Sequence, residues 1–240
     1  MELGLKDKSV LVTGGGSNIG RAIVLAFAVE DAHITIADLD VSQAEKTAES
    51  ARRAGAASVQ VVRTDVTRLV QVQAAFRSAA DRHGGVDVLV NNVGLLNCAK
   101  TALDLMIERG GDAIVAVGSD ASRQGEPREA VYAGVKAAVN AFMKTIAKEN
   151  GRHGIRCNVV CPGVTVPNSA DDIGAGSVWA DSANTFTPEQ IEKIAKSLPM
   201  RKVGRGSDIA QAVVFLSSER AAGHVTGQVL SVSGGYSMIG

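Results

Sequence analysis

Tyr132 and Lys136 stand four residues apart in the stretch Glu129 to Glu149, which reads as one long helix. Side chains at that spacing share a helix face. A free tyrosine has a pKa of about 10, poor for proton transfer near neutrality. An ammonium beside it favours the phenolate and lowers that value. A phenol tuned this way can give a proton to a carbonyl oxygen or take one from an alcohol. Ser119 lies 13 residues before Tyr132, just after an apolar strand-like run. Its hydroxyl can hydrogen-bond the same reacting oxygen. A lone Tyr-x-x-x-Lys pair also fits a solvated helix surface, so the pair needs a context.

That context begins at Thr13-Gly14-Gly15-Gly16-Ser17-Asn18-Ile19-Gly20-Arg21. Glycines let backbone N–H groups approach a pyrophosphate, and a helix starting there points its positive end at the phosphates. Strict G-x-G-x-x-G spacing fails, because Ile19 takes the sixth place counted from Gly14. Asparagine best tolerates left-handed backbone after glycine, so Asn18 should preserve the turn. Asp38 lies 18 residues beyond Gly20, near the interval expected for an acidic residue that grips a ribose. A carboxylate there accepts from both ribose hydroxyls and repels a 2′-phosphate, which selects NAD(H). The competing reading of Asp38 is a helix N-cap.

Elements must carry these residues to one place. Apolar strand runs fall at Ser9–Thr13, His33–Ala37, Val59–Arg63, Val86–Val90, Ala113–Val117, Ile155–Val160 and Gln228–Val232. Helical stretches fall at Gly20–Glu30, Ser42–Ala54, Val70–His83, Cys98–Arg109, Glu129–Glu149, Pro188–Ser197 and Ser207–Ser217. Strands apolar throughout are buried on both faces, as in parallel sheets. Strict alternation predicts an α/β fold with a single doubly wound parallel sheet of about seven strands, Rossmann-like, with helices on both faces. No linker divides residues 1–240, which read as one dinucleotide-binding domain. Residues 164–187, with the only tryptophan, Trp179, read as a substrate lid.

Composition excludes other classes. Lys+Arg and Asp+Glu both total 25, and aromatics make up only 3%. A nucleic-acid binder carries a basic surplus or stacking aromatics. No apolar run approaches the roughly 20 residues of a membrane span. The three cysteines lack paired spacing, and Cys157 and Cys161 lie too far apart in a strand to bridge. A cytoplasmic setting follows. The four histidines show no ligand spacing, so no metal site is expected.

In order along the chain, the glycine loop Thr13–Gly20, Asp65-Val66, Asn91-Asn92-Val93-Gly94, Ser119…Tyr132-x-x-x-Lys136, Asn158 and Pro162-Gly163 resemble the short-chain dehydrogenase/reductase family. The resemblance runs from about Leu5 to Gly235. It implies an oxidoreductase that moves a hydride between a nicotinamide cofactor and a small alcohol or ketone. It assigns Ser119, Tyr132 and Lys136 to catalysis. It assigns Gly14, Ser17, Asn18, Ile19, Gly20, Asp38, Leu39, Asp65, Val66, Asn92, Gly94, Tyr132, Lys136, Pro162, Gly163, Val164 and Thr165 to the cofactor. It also implies a homo-oligomer, dimer or tetramer. Gly118–Arg123, Glu129–Tyr132, Asn158–Gly163 and Gly227–Gly235 are locally similar to alicyclic hydroxyacyl-CoA dehydrogenases. A 3-oxoacyl thioester reductase is a close alternative.

Three features depart from that family, the first being Asn18 in place of the loop's usual middle glycine. Ser233 stands where an aspartate before Gly-Gly is common. Between Gly94 and Gly110 the chain is short by some two dozen residues, half a helix that holds the family's catalytic asparagine. Asn97 is not its counterpart and receives no catalytic role. A helix from Leu96 to Arg109 spans ~21 Å, just enough to return to the next strand. The shortfall makes a dinucleotide-binding protein without turnover the rival reading.

Overall fold

A computed structural model describes residues 2–169, 172–174, 177 and 187–238. Strand and helix alternate as β1 (Ser9–Thr13), α1 (Asn18–Val29), β2 (His33–Asp38), α2 (Val41–Ala54), β3 (Ser58–Arg63), α3 (Leu69–His83), β4 (Val88–Asn91), α4 (Leu95–Arg109) and β5 (Ala113–Val117). There follow α5 (Ala121–Gln124), α6 (Ala130–Asn150), β6 (Arg156–Pro162), β7 (Thr165–Val166), α7 (Pro188–Ser197), β8 (Gly204–Arg205), α8 (Gly206–Ser217), α9 (Glu219–Ala222) and β9 (Val229–Val232). A seven-stranded sheet has the order β3-β2-β1-β4-β5-β6-β9, with every pairing parallel. The order reverses between β1 and β4, which opens a crevice at their carboxyl ends, the usual ligand site of such sheets.

Local chemistry explains the boundaries. Asp40 caps α2 by accepting from Gln43 N at 3.0 Å. Left-handed glycines end α2 at Gly55 and α3 at Gly84. β1, β4, β5 and β6 are buried along their whole lengths. One apolar cluster joins Ile23 and Phe27 of α1 to Ile209 and Val213 of α8. Another joins Phe76 of α3, Met106 of α4 and Met143 of α6.

The crossover after β4 closes. α4 begins at Leu95, directly after Gly94, and its 15 residues reach ~22 Å. Its Cys98, Ala102 and Met106 bury themselves in the core. Several short elements escape the periodicity reading, among them α5, α9 and the two-residue ladder between β7 and β8. Each is too brief to show a period. The ladder makes Thr165 and Val166 part of a strand, where the sequence reading had only loop. Trp179 and most of the predicted lid lie outside the described residues.

Buried Arg156 fastens β6 to the α8–α9 turn. It donates to Leu216 O, Ser217 O and Ala222 O and pairs with Glu219 at 3.0 Å. All three cysteines are free and buried. Burial pushes Cys98 and Cys157 up to about 12 and Cys161 to about 11, which leaves them as inert thiols. Among the described residues no helix is long and apolar enough to cross a membrane.

His33 and His83, scattered in sequence, stack with ring centroids 5.1 Å apart. The Ser58 hydroxyl lies between them, 2.9 Å from His33 Nδ1 and 2.8 Å from His83 Nε2. Burial first, then His33 and Arg82, lower the His83 pKa to about 4. Unfolded, it titrates near 6.5, so the unfolded chain binds more protons between those values. Stability should therefore fall as pH drops from about 6.5 to about 4, with no contribution above that window. Allowing for His83's partial exposure, the loss is on the order of 1 kcal/mol, or roughly 2–4 °C in Tm. Tm measured against pH should show this step in the wild type and lose it in His83→Gln.

Candidate active site

The loop after β1 is built for close approach of a ligand to backbone. Gly14 takes φ 63° and Asn18 φ 45°, so asparagine does fill a left-handed position. Ser17 gives α1 no side-chain cap, and the first turn holds no acidic residue. The N–H groups there are left to a ligand. The glycines keep a cradle that side chains would fill. A Cβ on Gly20 would lie 1.9 Å from Gly14 O, and one on Gly16 would lie 2.9 Å from Asp38 Oδ2. These residues fit a dinucleotide.

Neighbouring strands hold that loop. Asn92 Nδ2 donates to Gly14 O at 3.1 Å. The Thr13 hydroxyl donates to Val93 O at 2.6 Å and accepts from Val93 N at 3.1 Å. Asp38 accepts from Gly16 N at 2.7 Å and from Asp40 N at 2.9 Å. The cap of α2 is Asp40, so Asp38 stays at the strand end, facing the glycine loop. Leu39 beside it is exposed. Asp65 accepts from the Thr67 hydroxyl and N–H, which lower its pKa. Gly94, at φ 74°, passes so near Val66 that a Cβ would sit 2.3 Å from that side chain's Cβ. Asn97 donates to Val66 O at 2.9 Å.

The second half of the constellation gathers at the ends of β5 and β6. Lys136 Nζ donates to Val117 O at 2.8 Å, two residues before Ser119. The same Nζ lies 5.9 Å from the Tyr132 ring centroid. Burial holds the Lys136 pKa below its ordinary value. Tyr132 is 47% exposed, and its hydroxyl has no hydrogen-bond partner among the described residues. Ser119 Oγ accepts from Ala121 N at 3.2 Å. Pro162 O accepts from Asp120 N at 3.0 Å, which ties the Ser119 turn to the Pro162–Thr165 segment. Val164 O accepts from Gly204 N, and the Thr165 hydroxyl donates to Gly163 O. Asn158 turns away: it bonds Val225 O and Gln228 N and so ties β6 to the run before β9.

Sequence reading missed a buried polar network behind these groups. Asp120 accepts from Ser231 Oγ at 2.6 Å, and Ser231 in turn bonds Ser233. Arg123 sits 3.7 Å from the other Asp120 oxygen. Asn140 bonds Ser122. For Asn140 a signal existed, because it lies on the Tyr132 and Lys136 face at the next i+4 step. The Asp120–Ser231 contact spans 111 residues and left none. Among the described residues no three His, Cys, Asp or Glu side chains cluster to hold a metal.

Residues 8–96 match the family model described as short chain dehydrogenase, and residues 93–237 match the one described as Enoyl-(Acyl carrier protein) reductase. The chain is 32% identical to 2-(S)-hydroxypropyl-CoM dehydrogenase 3 of Xanthobacter autotrophicus over 260 positions, covering 98% of both chains. A chain of 240 residues cannot fill 260 positions, so at least 20 are occupied in the relative alone. The two family models meet at residues 93–96, where α4 follows Gly94 directly. L-sorbose reductase from Gluconobacter frateurii, solved with NADPH and L-sorbose, superposes with a TM-score of 0.87 at 27% identity, covering all of both chains. A 7α-hydroxysteroid dehydrogenase, complexed with NADH and 7-oxo glycochenodeoxycholic acid, gives 0.85 at 27% identity, covering 98% of this chain and 96% of that one.

Proposed function

Because this chain belongs to the short-chain dehydrogenase/reductase family of oxidoreductases, we propose that it interconverts a secondary alcohol and a ketone with NAD(H). The observation that carries the reading is the Lys136 anchor on Val117 O, which fastens the Tyr132 helix to the strand that leads into Ser119. In reduction the Tyr132 phenol gives its proton to the carbonyl oxygen, and in oxidation the phenolate takes it from the alcohol. Ser119 Oγ–H holds the same oxygen. With one N–H on Val117 O, Lys136 keeps two more, one for the phenol oxygen and one for a ribose hydroxyl.

A nicotinamide dinucleotide, when bound, supplies or accepts the hydride. Gly14, Ser17, Asn18, Ile19 and Gly20 would hold its diphosphate, and Asp38 and Leu39 its adenosine ribose. Asp65 and Val66 would hold the adenine. Asn92 and Gly94 would line the groove, and Pro162, Gly163, Val164 and Thr165 would flank the nicotinamide. Residues 1–240 then form one domain, with substrate choice in the 164–187 segment. Val131, 82% exposed, and Val135, 61% exposed, form an apolar strip on α6. That strip supports a homo-oligomer, dimer or tetramer. Three free thiols support a cytoplasmic setting.

NAD preference rests on Asp38. Its oxygens already turn toward the glycine loop, and a 2′-phosphate would meet that carboxylate. Asp38→Ala should narrow the ratio of kcat/KM for NADH over NADPH by about tenfold or more. An unchanged ratio would contradict the ribose assignment. A second reading, reduction of a 3-oxoacyl thioester, draws on the match of residues 93–237 to a model described by an acyl carrier substrate. A panel holding both simple ketones and 3-oxoacyl thioesters separates the two. The reading of a dinucleotide binder without turnover predicts NADH binding and no reaction with either.

A further inference from the structure

Tyr132, Lys136 and Asn140 follow one another at intervals of four on α6, so all three face the ends of β5 and β6. Asn140 is half-buried there. Its Nδ2 donates to Ser122 Oγ at 2.8 Å, and its Oδ1 accepts a weak contact from Cys161 Sγ at 3.8 Å. Ser122 Oγ in turn donates to Ser119 O at 2.6 Å. The same Oδ1 would lie 3.4 Å from a Cβ on Gly118, the residue that joins Val117 to Ser119. Two links therefore tie α6 to this turn. Lys136 grips the strand before Ser119, and Asn140 grips the short helix after it.

We propose that Asn140, acting through Ser122, is a positioning residue that sets the Ser119 hydroxyl against Tyr132. The inference rests on the assignment of Ser119 and Tyr132 to one reacting oxygen. The reason for a second link is geometric. Lys136 fixes Val117 O, but Ser119 lies two rotatable residues further on, in a turn, and among the described residues its hydroxyl accepts only from Ala121 N. A hydroxyl that must meet a reacting oxygen at hydrogen-bond distance needs its backbone carbonyl held as well. Ser122 has one proton, already given to Ser119 O, so its partner on α6 must be a donor. An asparagine amide is one; an aspartate at the same place is not.

The test uses the whole chain. Ser122→Ala, Asn140→Ala, Asn140→Asp and the double alanine variant are compared in kcat, KM, NADH affinity by fluorescence, and amide exchange across residues 119–124. Each single variant should lower kcat roughly ten- to hundredfold, leave NADH affinity unchanged and speed exchange in that segment. The double alanine variant should be no worse than either single one, because one link is cut twice. Ser122→Thr keeps the hydroxyl and should recover most of the activity. Wild-type kcat in Asn140→Ala, or additive losses in the double variant, would overturn the proposal. Should the wild type bind NADH and turn nothing over, the hydride reading itself falls. Exchange across 119–124 then decides the link alone, and unchanged exchange in Asn140→Ala would overturn it.

Discussion

Tyr132→Phe loses turnover by about 10²–10⁴-fold and keeps NADH affinity and Tm nearly unchanged. The size is that of a lost general acid–base group. The selectivity follows from the surroundings. The hydroxyl has no hydrogen-bond partner among the described residues, so removing it breaks no bond of the folded chain. The ring is 47% exposed and keeps its place beside Lys136 as phenylalanine. Lys136 remains on Val117 O and still offers its N–H groups to a ribose. Steady-state rates, NADH fluorescence titration and a melting curve on the same preparation check all three parts. Turnover kept in this variant would remove Tyr132 as the acid/base.

Gly20→Ala strikes the other half of the site. Its Cβ would lie 1.9 Å from Gly14 O and 3.0 Å from Asn92 Nδ2. The first is backbone and cannot swing aside. The loop must move, and the Asn92–Gly14 bond goes with it. NADH affinity should fall at least about a hundredfold, and stability by roughly 1–3 kcal/mol from overpacking. The two variants dissect the site in opposite senses: one removes chemistry and spares binding, the other removes binding. A Gly20→Ala protein with wild-type NADH affinity would show that the glycine loop does not hold the dinucleotide.

The sheet was legible because each central strand is apolar along its length and each long helix keeps its period. β1, β5 and α7 fall where the residues alone put them, or within a residue. Boundaries moved where the turn chemistry is non-periodic. α1 starts at Asn18, two residues ahead of Gly20, and that asparagine holds the left-handed φ expected of it. That the crossover after β4 can close was also legible, since a 15-residue helix just reaches across the sheet. Gly14, Asp38, Asn92 and Ser119 could be singled out because each ends or follows a strand. Partners across the fold could not. Ser231 meets Asp120, and His33 meets His83, only through sheet order and crossover, which no local spacing encodes. The Asp38 alternatives needed coordinates too: Asp38 and Asp40 both suit a cap, and only the Gln43 N–H separates them.

If the proposed function holds, this chain, in which α4 follows Gly94 directly, performs hydride chemistry. Tyr132 and Lys136 lie on α6, and Ser119 follows β5, both elements formed with α4 starting at Leu95. The direct measurement is NADH oxidation followed at 340 nm with a panel of ketones and 3-oxoacyl thioesters, on protein whose intact mass matches the 24.8 kDa chain. Substrate-dependent loss of NADH is the expected result. Tight NADH binding with no turnover across the panel, at that mass, would contradict it.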